Sequence, residues 1–185
     1  MTIPLRTPRL GLLTVLTILP LLAACRVTVS DDGQGGREAV DIQSPLGDLS
    51  VRTDIPSPDT GLAVYPGARP LRDEKEDESA DVRIDTPLFG LRVVSSKFES
   101  DAIPGAIVEH YRRELATYGP VTECRGNVDF KGREGAQSPV CTERARGSEI
   151  QLVAGTEHRH RLVVVKPRGS GSEFSVVRIQ TGDRS

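Results

Sequence analysis

Apolar and polar residues alternate in two stretches of similar sequence, VDIQSPLGDLSV from Val40 and VRIDTPLFGLRV from Val82. In each stretch a Pro-Leu dipeptide interrupts the alternation near the middle. Alternation on both sides of a short turn is typical of a β-hairpin. We therefore predict two related hairpins that share one sheet or stack on each other; the alternative is a chance likeness of common strand residues. With an offset of 42 residues, the identical pairs are Val40 and Val82, Ile42 and Ile84, Pro45 and Pro87, Leu46 and Leu88, Leu49 and Leu91, and Val51 and Val93.

A helical spacing follows, because apolar residues recur every three or four positions between residues 103 and 118. Ser100 or Asp101 is expected to cap the start of this helix, and Pro104 to lie in its first turn, where the missing N–H costs little. Gly119 and Pro120 are expected to end it. The predicted buried stripe consists of Ile103, Ile107, Tyr111, Leu115 and Tyr118.

Three short β-branched segments come after the helix: EIQLVA, RLVVVK and FSVVRI. The segments GTEHRH and PRGSGSE separate them and have the composition of turns. Strands segregated from a single helix indicate an α+β fold. We predict an antiparallel sheet of about five to six strands, in the order β-β-α-β-β-β, with one amphipathic helix packed on one face.

The amino-terminal residues have a different pattern. Arg6 and Arg9 precede an apolar run from Leu10 to Leu22. This run is shorter than the roughly 20 apolar residues of a membrane-spanning helix. A positively charged start, a short apolar run and small residues before a cut site indicate a secretory signal peptide.

The apolar run ends in Leu22-Ala23-Ala24-Cys25, which resembles the lipobox of bacterial lipoproteins. The resemblance implies that the Cys25 sulfur receives a diacylglyceryl group, that the peptide is cut before Cys25, and that the new amino terminus is acylated, for example with palmitate. Two or three acyl chains would hold the protein durably at a membrane. The alternative is an ordinary cleaved signal followed by an incidental cysteine. Arg26 stands where an Asp retains some lipoproteins at the inner membrane, which favours the outer membrane.

Composition narrows the class of protein. The chain carries 24 Lys and Arg against 26 Asp and Glu, and cleavage before Cys25 would remove Arg6 and Arg9, leaving 22 basic residues and a net charge of −4. Nucleic-acid binding favours a basic stripe, so no nucleic-acid partner is expected. Aromatic residues make up 4% of the chain and Trp is absent, so the core is expected to consist mostly of Val, Ile and Leu.

Cys124 and Cys141 remain as a pair if Cys25 carries the lipid. Export would bring them into an oxidising compartment, where disulfides persist. We therefore predict a structural disulfide at the base of the polar, Gly-containing loop between them. A redox-active thiol pair or a metal site is the alternative, although the CxxC spacing is missing.

Polar and Pro-rich stretches suggest how the chain is divided. We predict a signal peptide at residues 1–24, a lipid-anchored flexible tether with a β-hairpin at residues 25–60, and an α+β globular domain at residues 61–185. The flexible segments are SDDGQGGRE and TDIPSPDT, and the acidic run at residues 73–78 is expected to be a solvated loop rather than a cation site. Because a single hairpin is only marginally stable in water, the first hairpin is expected to be ordered only when docked.

VYPGA at residues 64–68 and the helical segment at residues 97–119 resemble a set of uncharacterised bacterial envelope proteins. These share a Tyr-Pro-Gly-Ala turn and a helix that ends in an aromatic-x-x-Glu-Leu pattern. The resemblance spans residues 61–181 and implies an exported single-sheet α+β domain without implying an activity. Glu109 and His110 stand before Tyr111, so the aromatic pair of the pattern is reduced to one residue.

Candidate chemistry is limited to three histidines: His110, His158 and His160. On a strand His158 and His160 would share a face, and with His110 they could hold a metal ion, although the neighbouring arginines oppose a cation. The simpler interpretation is a solvated hairpin tip at residues 157–161, with contact to anionic lipid or polysaccharide as an alternative. The motifs of serine hydrolases, P-loop proteins and zinc proteases are absent. We assign no catalytic residue, metal or cofactor.

The sequence favours a lipid-anchored, non-catalytic protein of the bacterial cell envelope that acts as a binding or scaffold module. Its expected partners are the membrane, through Cys25, and an envelope protein or polysaccharide. Two alternatives remain: a hydrolase of envelope polymers or other metal-dependent enzyme, and an assembly subunit that pairs through an exposed hairpin.

Overall fold

The computed structural model describes residues 25–31, 38–53, 55, 58–71, 79–131, 138–142 and 148–182. The expected signal peptide, the acidic run at residues 73–78 and the glycines of the first flexible segment lie outside the described residues. The same holds for parts of the second flexible segment and of the loop between Cys124 and Cys141.

The described part of the chain forms strands on both sides of a single α-helix. Six strands precede the helix: β1 (Arg26–Asp31), β2 (Glu38–Ser44), β3 (Gly47–Thr53), β4 (Arg69–Pro70), β5 (Ser79–Asp85) and β6 (Gly90–Ser100). Helix α1 (Pro104–Leu115) continues into a 3₁₀ turn (Ala116–Tyr118). Six strands follow: β7 (Thr122–Arg125), β8 (Val128–Lys131), β9 (Ser138–Cys141), β10 (Ile150–Thr156), β11 (Arg159–Arg168) and β12 (Gly171–Gly182).

One antiparallel sheet dominates the architecture. Its strand order is β1-β2-β3-β5-β6-β12-β11-β10-β7, and the short strand β4 also pairs with β6. Strands β8 and β9 form a separate ladder. A predominantly antiparallel sheet with one helix agrees with the predicted α+β class. The predicted size and order are wrong, because the main sheet has ten strands rather than five or six and six strands precede the helix. The short, polar segments of β1, β4 and β7 carry too little apolar alternation to stand out in the sequence.

Both predicted hairpins are confirmed. The stretch from Val40 forms β2 and β3, and the stretch from Val82 forms β5 and β6. They share one sheet, because β3 pairs with β5 and sets Val51 opposite Val82. The sheet therefore continues across the boundary expected between residues 60 and 61.

Residues 26–31, which we expected in a flexible tether, are instead strand β1. Val27 lies opposite Ile42, and Val29 lies opposite Val40. These residues form a strand because Val27 and Val29 alternate with polar residues, so that both valine side chains extend the apolar face of β2 by one more strand. The chain thus enters the sheet at the residue that follows Cys25.

Helix α1 covers one face of the sheet at β10, β11 and β12. Proline at its first turn is confirmed, and Gly119 (φ 133°) follows the 3₁₀ turn. The predicted cap is wrong, because Ile103 occupies the N-cap position and Ser100 Oγ instead accepts from the Ala102 N–H (3.2 Å). Ile103 is 64% exposed and does not belong to the core. The core consists of Ile107, Val108, Tyr111, Leu115, Leu152, Ala154, Val163, Val165, Phe174 and Val176.

Residues 58–71 lie against the helix on the same face. The Tyr111 hydroxyl donates to the Ala63 carbonyl (3.1 Å) and accepts from the Tyr65 N–H (3.1 Å). Burial raises the pKa of the Tyr111 hydroxyl well above its usual value, so it stays a donor. The Tyr118 hydroxyl donates to the Gly61 carbonyl (2.6 Å). These bonds join the Tyr-Pro-Gly-Ala turn to the helix.

Candidate functional site

The sheet face opposite the helix carries a long series of apolar side chains. Residues that pair directly across an antiparallel ladder share a face. The registers therefore align the apolar positions of six neighbouring strands into one surface, which we call the valine face. The valine face consists of Val27, Val29, Val40, Ile42, Leu49, Val51, Val82, Ile84, Leu91, Val93, Val177 and Ile179.

The valine face is open to solvent in part. Val27 and Val29 are each 61% exposed, and its other members are half-buried. Strands β8 and β9 pack on the main sheet at β7, β10 and β11, which lie beyond the last strand of the valine face. There Phe130 contacts His160 with ring centroids 4.9 Å apart, and the Val128 N–H donates to Gln151 Oε1 (3.1 Å).

The predicted disulfide between Cys124 and Cys141 is confirmed. Cys124 is buried in β7 at the edge of the main sheet, and Cys141 is the last residue of β9. The bond therefore holds the β8–β9 ladder onto the sheet. Cys25 is exposed and forms no disulfide.

Cys25 lies at one end of the sheet together with two turns. Arg26 pairs with Gln43, so the start of β1 is adjacent to the end of β2, where the chain turns into β3. Asp48 pairs with Asp85, so the turn between β5 and β6 lies next to that turn. We call this end of the sheet, formed by Cys25 and the turns at residues 45–46 and 86–89, the anchor end.

The two turns of the anchor end have the same hydrogen-bond plan. The Ser44 hydroxyl donates to the Gly47 carbonyl (2.8 Å) and accepts from the Leu46 N–H (3.3 Å). The Thr86 hydroxyl donates to the Phe89 carbonyl (2.9 Å) and accepts from the Phe89 N–H (2.9 Å). The apolar side chains at both tips point into solvent: Leu46 is 83% exposed, Leu88 89% and Phe89 51%.

A polar groove of about 640 Å³ reaches the same end of the molecule. It lies between the ends of β3, β5, β6 and β12 and the turn between β10 and β11. The charged and imidazole side chains that line it are Asp48, Arg83, Asp85, Arg92, His158 and Arg159.

Several of these charges already have partners. Arg92 makes a two-bonded ion pair with Asp81 (3.0 and 2.5 Å), and this bond lowers the pKa of the Asp81 carboxyl. The Arg83 and Asp85 side chains approach to 3.9 Å. Nearby, Arg178 donates to Asp59 (2.7 Å), which lowers the pKa of the Asp59 carboxyl. Three of the charged side chains that line the groove, those of Arg83, Asp85 and Arg92, are therefore already engaged in ion pairs.

The structure does not bring the three histidines together. His110 packs edge-on between Tyr65 and Tyr111, with its Nε2 3.6 Å from Glu114. His158 lies in the turn between β10 and β11, and His160 lies on the opposite face from α1, against Phe130. Within the described ranges no group of three His, Cys, Asp or Glu side chains is placed to hold a metal ion.

The expected solvated hairpin tip at residues 157–161 is only partly solvated. Residues 157–159 are exposed, whereas His160 is buried and Arg161 stacks over the Tyr118 ring at 3.6 Å. The reason is that β11 begins at Arg159, so the two following side chains already belong to the sheet. His158 lies in the turn and only His160 lies on β11, so the two histidines do not share a strand face.

The sequence did not reveal that Cys25 and the two turns meet at one end. The repeat holds part of this information, because both hairpins carry Pro-Leu at the turn and their alternation shows which strands each turn joins. The sequence does not indicate that β3 pairs with β5 or that residues 26–31 form a strand, and both features are needed to bring Cys25 and the two turns together.

In the part of the chain that the structure describes, α1 is too short and too polar to cross a bilayer, and no other helix does so. Neither a protein family, nor a curated protein, nor a solved structure matches this chain.

Proposed function

We propose that this protein is a lipid-anchored, non-catalytic module of the bacterial cell envelope that binds or scaffolds other envelope components. The anchor is a diacylglyceryl group on the Cys25 sulfur, together with an acyl chain on the new amino terminus. The outer membrane is the favoured location, because Arg26 replaces the retention signal of the inner membrane.

One observation carries this proposal: Cys25 is exposed and immediately precedes a strand of the main sheet. The sulfur is accessible for modification, and there is no linker between the modified residue and the folded body. Consecutive Cα atoms are about 3.8 Å apart, so the lipid would be attached within one residue of the sheet. The module is therefore held directly at the membrane surface.

The valine face supports a binding role. Contiguous apolar surface that remains partly exposed marks interaction sites in soluble domains. This face runs across six strands and begins with the exposed residues Val27 and Val29, beside the anchor. A partner bound there would be held close to the membrane.

The pairing of charges in the groove favours binding over catalysis. A general acid or base needs a pKa near the working pH and free access to a substrate proton. Here the guanidinium of Arg92 is committed to Asp81, and the pKa of Asp81 is lowered, which keeps the carboxylate ionised and bound.

Detergent phase partitioning tests the anchor. The full chain, expressed in a bacterium with lipoprotein processing, is expected to enter the detergent phase. The Cys25→Ser variant should move to the aqueous phase. A Cys124→Ser, Cys141→Ser double variant is the matched control, since it loses two cysteines and should still enter the detergent phase. Equal partitioning of wild type and Cys25→Ser would refute the proposal.

A second candidate function is assembly by strand addition. Strand β1 is the last strand of the main sheet in the described residues, and it pairs on one side only, with β2. An unpaired edge is a template for another strand. Sedimentation in detergent tests it: pairing of two β1 edges predicts a dimer that Val29→Lys dissociates and Val64→Lys does not. A wild-type monomer would remove this candidate.

A further inference from the structure

At the anchor end of the sheet, Cys25 and two turns with apolar tips lie in a row. The start of β1, the turn at residues 45–46 and the turn at residues 86–89 follow one another across β1, β2, β3, β5 and β6. Neighbouring strands are about 4.8 Å apart, so the row spans roughly 20 Å. The row lies along one end of a single rigid ladder, so its members can meet a flat surface together.

The tips of these turns are suited to leaving water. An unbonded N–H is costly to bury in an apolar medium. The Leu46 N–H donates to Ser44 Oγ, and both the Leu88 N–H (3.3 Å) and the Phe89 N–H donate to Thr86 Oγ1. The remaining tip residues, Pro45 and Pro87, have no N–H. At both tips, each residue therefore either has its backbone N–H hydrogen-bonded within the turn or is a proline without an N–H, before the protein contacts a membrane.

The side chains at the tips supply the driving force. Leu46, Leu88 and Phe89 are exposed and contribute little to the packing of the sheet itself. Burying a large apolar side chain favours binding by roughly tenfold or more. Because these tips carry no charge, the attraction does not depend on anionic lipid.

We propose that the turns at residues 45–46 and 86–89 insert into the leaflet that holds the Cys25 lipid, at the boundary between headgroups and acyl chains. The inference deepens the proposed function, on which its geometry rests. The lipid on Cys25 alone would attach the domain at a single point and would not fix its orientation. The two turns add contacts across four more strands and hold the sheet with its strands pointing away from the membrane and the valine face accessible from the side.

The first test places a fluorophore at the turn. A cysteine is introduced by Leu88→Cys in the full chain, in which Cys25 carries lipid and Cys124 is bonded to Cys141, so the new thiol is the single one available for an environment-sensitive dye. The matched control is Ser170→Cys in the exposed turn between β11 and β12, at the opposite end of the sheet. Both proteins are reconstituted into phosphatidylcholine vesicles.

The dye at position 88 is expected to shift to shorter wavelength and to be quenched by brominated acyl chains, whereas the dye at position 170 is expected to report water. Equal exposure of the two dyes in vesicle-bound protein would overturn the docking proposal. Protein that fails to enter the vesicles would instead contradict the lipid anchor, so the two failures are distinguishable.

A second measurement does not depend on the anchor. An unlipidated Cys25→Ser chain that begins at residue 25, and so lacks the apolar run at residues 10–22, should bind phosphatidylcholine vesicles weakly, and the further changes Leu46→Ser, Leu88→Ser and Phe89→Ser should reduce that partition at least tenfold. Ile103→Ser is the control, because it removes another exposed apolar side chain (64%), which lies at the opposite end of the strands from the two turns. Equal loss from Ile103→Ser, or binding that requires anionic lipid, would contradict the proposal.

Discussion

Asp48 and Asp85 lie opposite each other in the ladder between β3 and β5. This register brings the turn after β2 against the turn after β5, and the backbones approach closely there. Gly47 has φ +144°, and a Cβ atom at this position would lie 2.6 Å from the Asp85 carbonyl oxygen. The side-by-side arrangement of the two turns therefore requires glycine at position 47.

Gly47→Ala is expected to destabilise the protein by about 1–3 kcal/mol, because it combines an unfavourable φ with a clash against backbone. Gly67→Ala is the matched control, since Gly67 also has a positive φ (+78°) but a Cβ atom added there would have no neighbouring atom within 4 Å. Urea unfolding of both variants measures the difference. An equal loss in the two variants would show that the close approach of the turns carries no stability.

The ion pair between Asp81 and Arg92 predicts a pH dependence of stability. Arg92 lowers the pKa of Asp81 in the folded protein. A lowered folded-state pKa stabilises the fold above the unfolded value of about 3.9, and this contribution is lost as the pH falls through the lower, folded-state value. Asp81→Asn is therefore expected to be less stable than wild type at pH 7 and to lose less stability on acidification.

Thermal unfolding at pH 7 and between pH 4 and pH 2 measures both effects. Asp101→Asn is the control, because Asp101 is exposed and its contact with Arg69 (3.4 Å) is a surface ion pair of small value. Parallel acid curves for wild type and Asp81→Asn would contradict the assigned role of the pair.

The disulfide between Cys124 and Cys141 closes a loop with a sequence separation of 17. Closing a loop of this size contributes about 3 kcal/mol in the chain-entropy account. We expect the Cys124→Ala, Cys141→Ala double variant to have a free energy of unfolding in urea that is lower by about 3 kcal/mol, and to lose the packing of Phe130 on His160. Labelling of either cysteine by a thiol reagent in the denatured, unreduced wild type would contradict the bond.

Removal of the first three strands tests how far the sheet depends on them. A chain that starts at Thr60 lacks β1, β2 and β3 and exposes the edge of β5, including Val82 and Ile84. The core around α1 lies on β10, β11 and β12, which are separated from the deleted strands by β5 and β6. We therefore expect this chain to fold, with a melting temperature lower by several degrees. A chain that starts at Glu38 and lacks only β1 should melt closer to wild type. Identical melting of all three would show that the first hairpin adds no stability to the rest.

The parts of the fold that were predictable from sequence are those with regular alternation or helical spacing. Val40 to Val51 and Val82 to Val93 alternate on both sides of a Pro-Leu turn, and the residues of α1 repeat at helical spacing, so both hairpins and the helix are recognisable in the sequence. The ladder between β3 and β5 was not, because residues 54–78 separate the two strands and the sequence holds no local signal for a pairing at that distance.

The candidate site depended on the same long-range pairing. Leu46 and Leu88 are ordinary turn residues until the register of β3 and β5 brings their turns next to each other. Residues 26–31 contain two apolar positions next to a Gly-rich stretch, which favoured a tether over a strand. The disulfide was predictable because it followed from the number of cysteines and the expected compartment rather than from geometry.

Mass spectrometry of the amino-terminal peptide, from protein extracted from bacterial membranes, is the most direct test of the lipid anchor on Cys25. The expected peptide begins at Cys25 and carries a diacylglyceryl group on sulfur, with or without an acyl chain on the amino group, and the Cys25→Ser variant should lack this species. A peptide with an unmodified Cys25 thiol, or a mature chain cut at another residue, would contradict the lipid anchor and the membrane orientation that rests on it.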